Sequence, residues 1–508
     1  MSQISVTNLS FYYEGSFDYI FRDVSFSVDT NWKLGLIGRN GKGKTTFLHL
    51  LCGRYPYQGT IRSPQEFGMF PCEFDAGSNQ MTAAELLEQQ TGCELWRVIC
   101  ELSDLNEDAE LLYRPYSLLS PGEKTKIQLA LLFSGDHRFC LLDEPTNHLD
   151  QQARESVKRY LSGKNGFILV SHDRDLLDAC TDHMLVLNRS TIEVQQGNFT
   201  VWWENKQRKD QYAEAENEKH RREIRKLHQA AARTAAWAAK SEQSKIGFDP
   251  VKENDRCIST RSYIGSKTKK MQSRVRQIEN RISREIQEKE GLLQDIETAA
   301  EIRMEPMQHH KQTLLSLTDY GIRFPQTEKP LFSGITFHLQ QGDRIAVHGE
   351  NGCGKSTLLR AILHHAGLAD CSAEETGECA LAPGLRISYI PQDIAALRGK
   401  LSDYCALNGL DYSLFCTVLR QLDFDRGQFQ KPAETYSDGQ KKKVLLASSL
   451  LTPAHLFIWD EPLNYIDVFS RMQIEELIRT YKPTMLFVEH DTRFRETVAT
   501  GVLSLHKI

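Results

Sequence analysis

The sequence predicts an α/β chain in which two copies of one domain are joined by a long α-helical hairpin. Three observations carry that expectation. Four short motifs occur twice, in the same order and at nearly one offset. The first motif of each set is a glycine-rich loop between an apolar strand and a helical run. The stretch between the two sets is charged and apolar at helical spacing, with one Gly/Pro-bearing break.

The repeat sets the boundaries. GRNGKGKTT at Gly38 returns as GENGCGKST at Gly349, and LLSPGEK around Ser120 returns as TYSDGQK around Ser437. CLLDEPTNHLD returns as FIWDEPLNYID, and ILVSHD as LFVEHD. The offset is 311 residues between Lys44 and Lys355, 317 from Ser120 to Ser437 and from Glu144 to Glu461, and 318 from His172 to His490. Order and offset kept together mean a duplicated unit. The expected domains are residues 1–200 and 311–508, with 201–310 as the connecting segment.

Each glycine-rich loop fits G-x-x-x-x-G-K-[ST], preceded by KLGLI or DRIAVH and followed by TFLHLL or TLLRAI. That strand–loop–helix context belongs to a P-loop, whose backbone N–H groups and helix N-terminus hold phosphates. The residues expected around ATP are Gly38, Asn40, Gly41, Gly43, Lys44, Thr45 and Thr46 in the first copy. In the second they are Gly349, Asn351, Gly352, Gly354, Lys355, Ser356 and Thr357. Lys44 and Lys355 are placed to reach the β/γ-phosphates, and Thr45 and Ser356 to ligate Mg²⁺.

An apolar strand then ends in Asp-Glu, as Asp143-Glu144 and Asp460-Glu461. The first carboxylate of each pair is expected beside Mg²⁺, and the second beside the γ-phosphate, where it orients or activates water. His172 and His490 follow another apolar run and are expected to contact the γ-phosphate.

Composition limits the remaining possibilities. At 508 residues the chain suggests two to four domains, and 40% hydrophobic with 25% charged residues is globular. The start, MSQISVTNLSF, alternates like a strand and lacks the layout of a secretory signal. No apolar run approaches the roughly 18 residues needed to span a bilayer. The 12 cysteines form no C-x-x-C pair, which speaks against a zinc or disulfide framework and for a reducing cytoplasm.

The net charge of −5 conceals an asymmetry. Residues 219–284 hold 18 Lys and Arg against 6 Asp and Glu, so the rest of the chain sums to −17. One basic segment in an acidic protein points to a localised polyanion contact. Ile224, Leu227, Ala231, Ala235 and Ala238 form an apolar stripe at helical spacing. Met271, Val275, Ile278 and Ile282 suit a heptad. The reading is two long antiparallel helices, the first over about 201–243, with a tip carrying the candidate contact residues Trp237, Lys245, Phe248 and Tyr263.

The motif order resembles the ATP-binding cassette superfamily: P-loop, LSGGQ-like signature, Asp-Glu strand end, then histidine. The resemblance implies two ABC-type P-loop nucleotide-binding domains that close on each other within one chain. It implies that Ser437 and Gly439 cover ATP held at Lys44, and that Ser120 and Gly122 cover ATP held at Lys355. Tyr13 and Phe324, each 25 residues before the first P-loop glycine, match the aromatic that stacks on adenine. Gln392 in SYIPQD matches the loop glutamine that reaches the metal. The first copy departs here, with Cys72 in GMFPCE. A thiol does not replace an amide carbonyl as a metal or water ligand.

ABC domains drive many machines, so the connecting segment has to choose among them. A transporter subunit or a DNA-maintenance ATPase is an alternative class. Two cassettes joined by a basic helical pair, however, resemble the ABC-F family over essentially the whole chain. NWKLGLIGRNGKGKTT, RTAAWAAKSEQSK and YIGSKTKKM are similar to its antibiotic-resistance members from Gram-positive bacteria. That resemblance implies ATP and Mg²⁺ as cofactors, and as partners the 70S ribosome (23S rRNA, exit site) and P-site tRNA. It further implies a monomer with an intramolecular cassette pair and no membrane partner. Lincosamides, streptogramin A and pleuromutilins are the drugs such members dislodge, whereas a housekeeping ABC-F factor would carry no resistance role.

Overall fold

A computed structural model describes residues 2–13, 19–72, 81–85, 94–135, 138–147, 149–188, 191–243, 303–325, 329–394 and 397–506. It also describes residues 273, 276–278, 280–282 and 284. The chain divides into two compact units, one of Met1–Trp202 with Ala300–Ile508, the other Trp203–Ala299.

The first unit contains both repeats. In the first, alternating QISVTNLSF forms β1 (Gln3–Phe11), the centre of a small antiparallel sheet with β2 (Phe21–Asp29) and β4 (Gln58–Arg62). The larger sheet runs β5 (Glu66–Phe70), β6 (Arg138–Asp143), β7 (Phe167–Val170), β3 (Lys33–Ile37), β8 (His183–Leu187) and β9 (Ile192–Gln196). It is parallel from β5 to β8, and β9 returns antiparallel. Parallel strands are covered on both faces, so FILV in β7 is apolar throughout and buried throughout. Helices α1 (Lys44–Leu51), α2 (Leu95–Asp104), α3 (Pro121–Ser134), α4 (Gln151–Gly163) and α5 (Arg174–Cys180) complete this half.

Helix α6 (Phe199–Gln243) has 45 residues, about 67 Å at 1.5 Å per residue. Phe199 and Trp202 at its start are buried, and Glu204–Arg208 and Glu218–Arg222 pair along its surface at i,i+4. Ile224 and Leu227 of the predicted stripe are half-buried. Trp237 falls on this helix. Lys245, Phe248 and Tyr263 lie outside the described residues, as do Met271 and Val275. No helix among the described residues is long and apolar enough to cross a membrane.

The second half repeats the plan. β10 (Thr313–Arg323) lies between β11 (Phe332–Gln340) and β13 (Glu374–Leu381) in an antiparallel sheet. The parallel sheet runs β14 (Ile387–Ile390), β15 (Leu456–Asp460), β16 (Met485–Val488), β12 (Arg344–His348), β17 (Gly501–Ser504). Its helices are α7 (Lys355–His365), α8 (Leu401–Leu407), α9 (Tyr412–Gln421), α10 (Asp438–Leu451), α11 (Val468–Tyr481) and α12 (Thr492–Val498). Met304, ahead of β10, is already buried in this half's core, and Met307 N–H donates to Ala454 O at 2.8 Å.

The register places the motifs. Asp143 ends β6 opposite Val170 of β7, and Asp460 ends β15 opposite Val488 of β16. The carboxylates, the histidines and the P-loops after β3 and β12 all emerge at the C-terminal edges of parallel strands, where such sheets place ligand sites.

Candidate ATP sites

Both P-loops require glycine where the helix begins. Gly43 and Gly354 cap α1 and α7 in left-handed conformation, φ +92° and +100°. A Cβ on Gly43 would lie 2.6 Å from Ile20 Cγ2, and one on Gly354 2.5 Å from Leu331 Cδ2. Lys44 Nζ folds over its loop onto Gly38 O (2.8 Å) and Asn40 Oδ1 (3.2 Å). Lys355 Nζ does the same with Gly349 O (2.8 Å) and Glu350 O (2.9 Å). Burial lowers the pKa of Lys44, opposed by Asp467, Glu144 and Asp143.

The hydroxyl of Thr45 donates to Asp143 Oδ2 at 2.7 Å. In the second site Ser356 Oγ is 3.5 Å from Gln392 Oε1, and Asp460 Oδ1 is buried without a protein partner. Burial raises both aspartates. A hydroxyl, a carboxylate and an amide oxygen form an all-oxygen donor set, the kind a hard divalent cation takes. Cys72 differs as its chemistry requires. Its thiol, pushed up to about 11 by burial with Arg138 opposing, bonds Met69 O (3.4 Å) instead of the Thr45–Asp143 pair.

Glu144 and Glu461 share a feature that motif reading missed: both have positive φ, +50° and +49°. Non-glycine residues sit there at a cost and need outside support. Support comes from the neighbouring strand, with Glu144 N–H donating to Val170 O (2.9 Å) and Glu461 N–H to Val488 O (3.0 Å). The two side chains then diverge. His490 Nε2 bonds Glu461 Oε1 at 3.3 Å, and Asn464 Nδ2 donates to Oε2 at 2.7 Å. Burial raises Glu461, but the His490 and Gln392 hydrogen bonds outweigh it and hold the carboxyl down at about 2. At the first site His172 N–H donates to Glu144 Oε2 (3.3 Å), while Nε2 is 3.4 Å from Oε1. There burial, with Asp143 adding to it, pushes Glu144 up to about 8. Burial, then Lys44, drives His172 well below its ordinary value, so it is neutral.

The halves meet at these sites. Ser120 and Ser437 cap α3 and α10 in capping boxes with Glu123 and Gln440. A Cβ on Gly439, next in that helix, would lie 2.7 Å from Tyr465 O and 3.7 Å from Asn40 Nδ2. Asn40 Nδ2 itself donates to Tyr465 O at 2.8 Å, so the second signature adjoins the first P-loop. The second P-loop opens on a cavity of about 390 Å³ lined by Phe324, Asn351, Gly352, Gly354, Lys355, Ser356, Thr357, Gln392, Glu461 and His490, and by Arg154 from the other half. Tyr13 and Phe324 are partly exposed, and the Tyr13 hydroxyl bonds Thr46 Oγ1 at 2.8 Å. Gly122 opens α3 beside Leu149.

Four further side chains went unnoticed in the motifs. Arg154 and Arg471 stand at the same 317-residue offset as the glutamates, a signal that was available. Lys442 and Glu489 occupy positions held by Thr125 and Ser171 in the first repeat. Lys442 Nζ bonds Pro391 O (2.9 Å), and Glu489 accepts from Leu463 N–H (2.8 Å) and His490 N–H (3.1 Å).

Two P-loop domains, each with a glutamate–histidine pair and a signature helix, define a tandem-cassette ATPase. The sequence profile of the ABC transporter family matches residues 21–147 and 332–464. The chain is 28% identical to the ribosome protection protein VmlR of Bacillus subtilis (strain 168), across 98% of this chain and 86% of the relative. It is 26% identical to the erythromycin resistance ATP-binding protein MsrA of Staphylococcus epidermidis, across 92% and 90%. In fold it is similar to the crystal structure of the archaeal ribosomal stalk protein aP1 with the ribosome recycling factor aABCE1. That match has a TM-score of 0.59 at 18% identity and covers 98% of this chain and 87% of the other. The chain belongs to the ABC transporter family and is an ATPase of its ABC-F branch.

Proposed function

We propose that this ATPase binds the ribosome, enters the vacant tRNA exit site and dislodges drugs from the peptidyl-transferase region. The observation that carries the proposal is the +12 segment joining two cassettes, in a chain that matches a ribosome protection protein over nearly its full length. Positive charge along helices suits the phosphates of 23S rRNA and P-site tRNA. Lincosamides, streptogramin A and pleuromutilins are the drug classes proposed.

The chemistry divides among named groups. Lys44 and Lys355 hold the β/γ-phosphates, and Ser437 and Ser120 close over them from the opposite cassette. Mg²⁺, when bound at Thr45–Asp143 or Ser356–Asp460–Gln392, neutralises phosphate charge. Glu144 and Glu461 orient the attacking water, with His172 and His490 fixing them against the γ-phosphate. ATP-bound closure creates the ribosome-binding form, and hydrolysis ends it. Expressed in a drug-sensitive host, the protein should raise the inhibitory concentration of at least one of the three drug classes, and Glu144→Gln, Glu461→Gln should abolish the gain. Unchanged susceptibility to all three would leave an ordinary translational role.

A further inference from the structure

The arginines four residues after Asp150 and Asp467 are held by one cassette and turned to the other's site. Asp150 caps α4 and Asp467 caps α11. In each helix the arginine Nε donates to the carbonyl just before the capping aspartate, Arg154 to Leu149 O (3.0 Å) and Arg471 to Ile466 O (2.9 Å). The guanidinium then faces the aspartate that follows its own cassette's histidine, Asp173 after His172 or Asp491 after His490. Arg471 donates to Asp491 Oδ2 at 3.1 Å, and Arg154 lies 3.9 Å from Asp173 Oδ2. These bonds fix the side chains, which are 9% and 16% exposed.

What the guanidiniums face next is the opposite site. Arg154, from the first cassette, lines the second site's cavity with Lys355, Glu461 and His490. Arg471, from the second cassette, bonds Ile466 O, one residue from Tyr465, whose carbonyl accepts from Asn40 Nδ2 in the first site's P-loop. A clamp for a local turn needs only the carbonyl and the aspartate. It gives no reason for both copies to hold a cation at the edge of the opposite cassette's site.

We propose that Arg154 and Arg471 are positioning residues acting in trans, Arg154 for Glu461–His490 and Arg471 for Glu144–His172. Each supplies positive charge beside a buried carboxylate and the γ-phosphate it faces, where charge in a water-poor site acts strongly. Because each is also tied to Asp173 or Asp491 of its own cassette, each site's competence depends on the conformation of the histidine loop of the other. This rests on the two-site reading above.

The test is single-turnover hydrolysis of pre-bound ATP, so that a stalled site does not hide chemistry at its neighbour. In the full chain, Glu144→Gln leaves only the second site active. In that background Arg154→Ala should slow hydrolysis on the order of ten- to a hundredfold, the loss typical of a group that orients the reacting residues from outside. It should slow it at least about tenfold more than Arg471→Ala does. With Glu461→Gln the order should reverse. Arg→Lys should recover part of the rate in each case, with ATP affinity and melting temperature near those of the parent. Larger effects of each arginine on its own cassette, or equal effects of both in either background, would overturn the proposal. Wild-type turnover by Glu144→Gln, Glu461→Gln would instead overturn the site assignment.

Discussion

Closure between the cassettes should depend on one buried ion pair. Arg174 of α5 and Glu475 of α11 meet in a two-pronged contact, Nη1 to Oε2 at 3.1 Å and Nη2 to Oε1, with both residues buried. Burial raises the Glu475 pKa, and Arg174 opposes it. Glu475→Gln keeps the shape but leaves a buried cation without its counter-charge, which costs about 3–5 kcal/mol. If opening re-solvates Arg174, that cost falls on the closed state, and at 1.36 kcal/mol per decade it amounts to roughly two to four decades. The assay is ATP-driven closure in a Glu144→Gln, Glu461→Gln chain, followed by the distance between two spin labels, one per cassette. Glu475→Gln should raise the ATP concentration for half-closure at least about a hundredfold. The swap Arg174→Glu, Glu475→Arg should recover most of it. A shift under about threefold, or a swap no better than the single variant, would refute the reasoning.

Other perturbations follow from the same geometry. Trp202 is 3% exposed with its ring 5.9 Å from that of Phe469, so Trp202→Ala should cost about 3–5 kcal/mol by denaturant titration. Gly43→Ala forces a Cβ into left-handed backbone against Ile20, and should weaken nucleotide binding at the first site about tenfold or more by calorimetry, with Gly41→Ala milder because its Cβ meets nothing within 4 Å. Asp467 is buried. Burial raises its pKa, but Lys443 at 3.2 Å and the Ser470 N–H outweigh that and hold it at about 2, below its ordinary 3.8. A depressed carboxylate contributes stability that is full above 3.8 and lost as pH falls towards 2. Acid unfolding should therefore steepen across that window, and Asp467→Asn should flatten it.

The parts legible in the sequence were those that short stretches dictate. A P-loop is a strand, a left-handed glycine and a helix N-terminus within ten residues or so, and the Asp-Glu strand ends are equally local. Pattern and repeat therefore reach them. Arg174 and Glu475 are 301 residues apart, and Asn40 and Tyr465 are 425 apart. Such pairs exist only once two cassettes have docked, and no periodicity encodes docking. The contrast between Glu461, held ionised, and Glu144, pushed up to about 8, was foreshadowed by Cys72 and by Lys442 standing where the first repeat has Thr125. Its larger causes are burial and which side chains reach each carboxylate, and these need coordinates. Arg154 and Arg471 are the intermediate case, since their offset was readable but their direction was not.

The central claim is an ATP-gated grip on the ribosome through the basic segment. Its most direct test is co-sedimentation of the Glu144→Gln, Glu461→Gln chain with 70S ribosomes, with and without residues 219–284. The account predicts pelleting that requires ATP and disappears with the segment. Pelleting independent of ATP, or equal in the two forms, would contradict it.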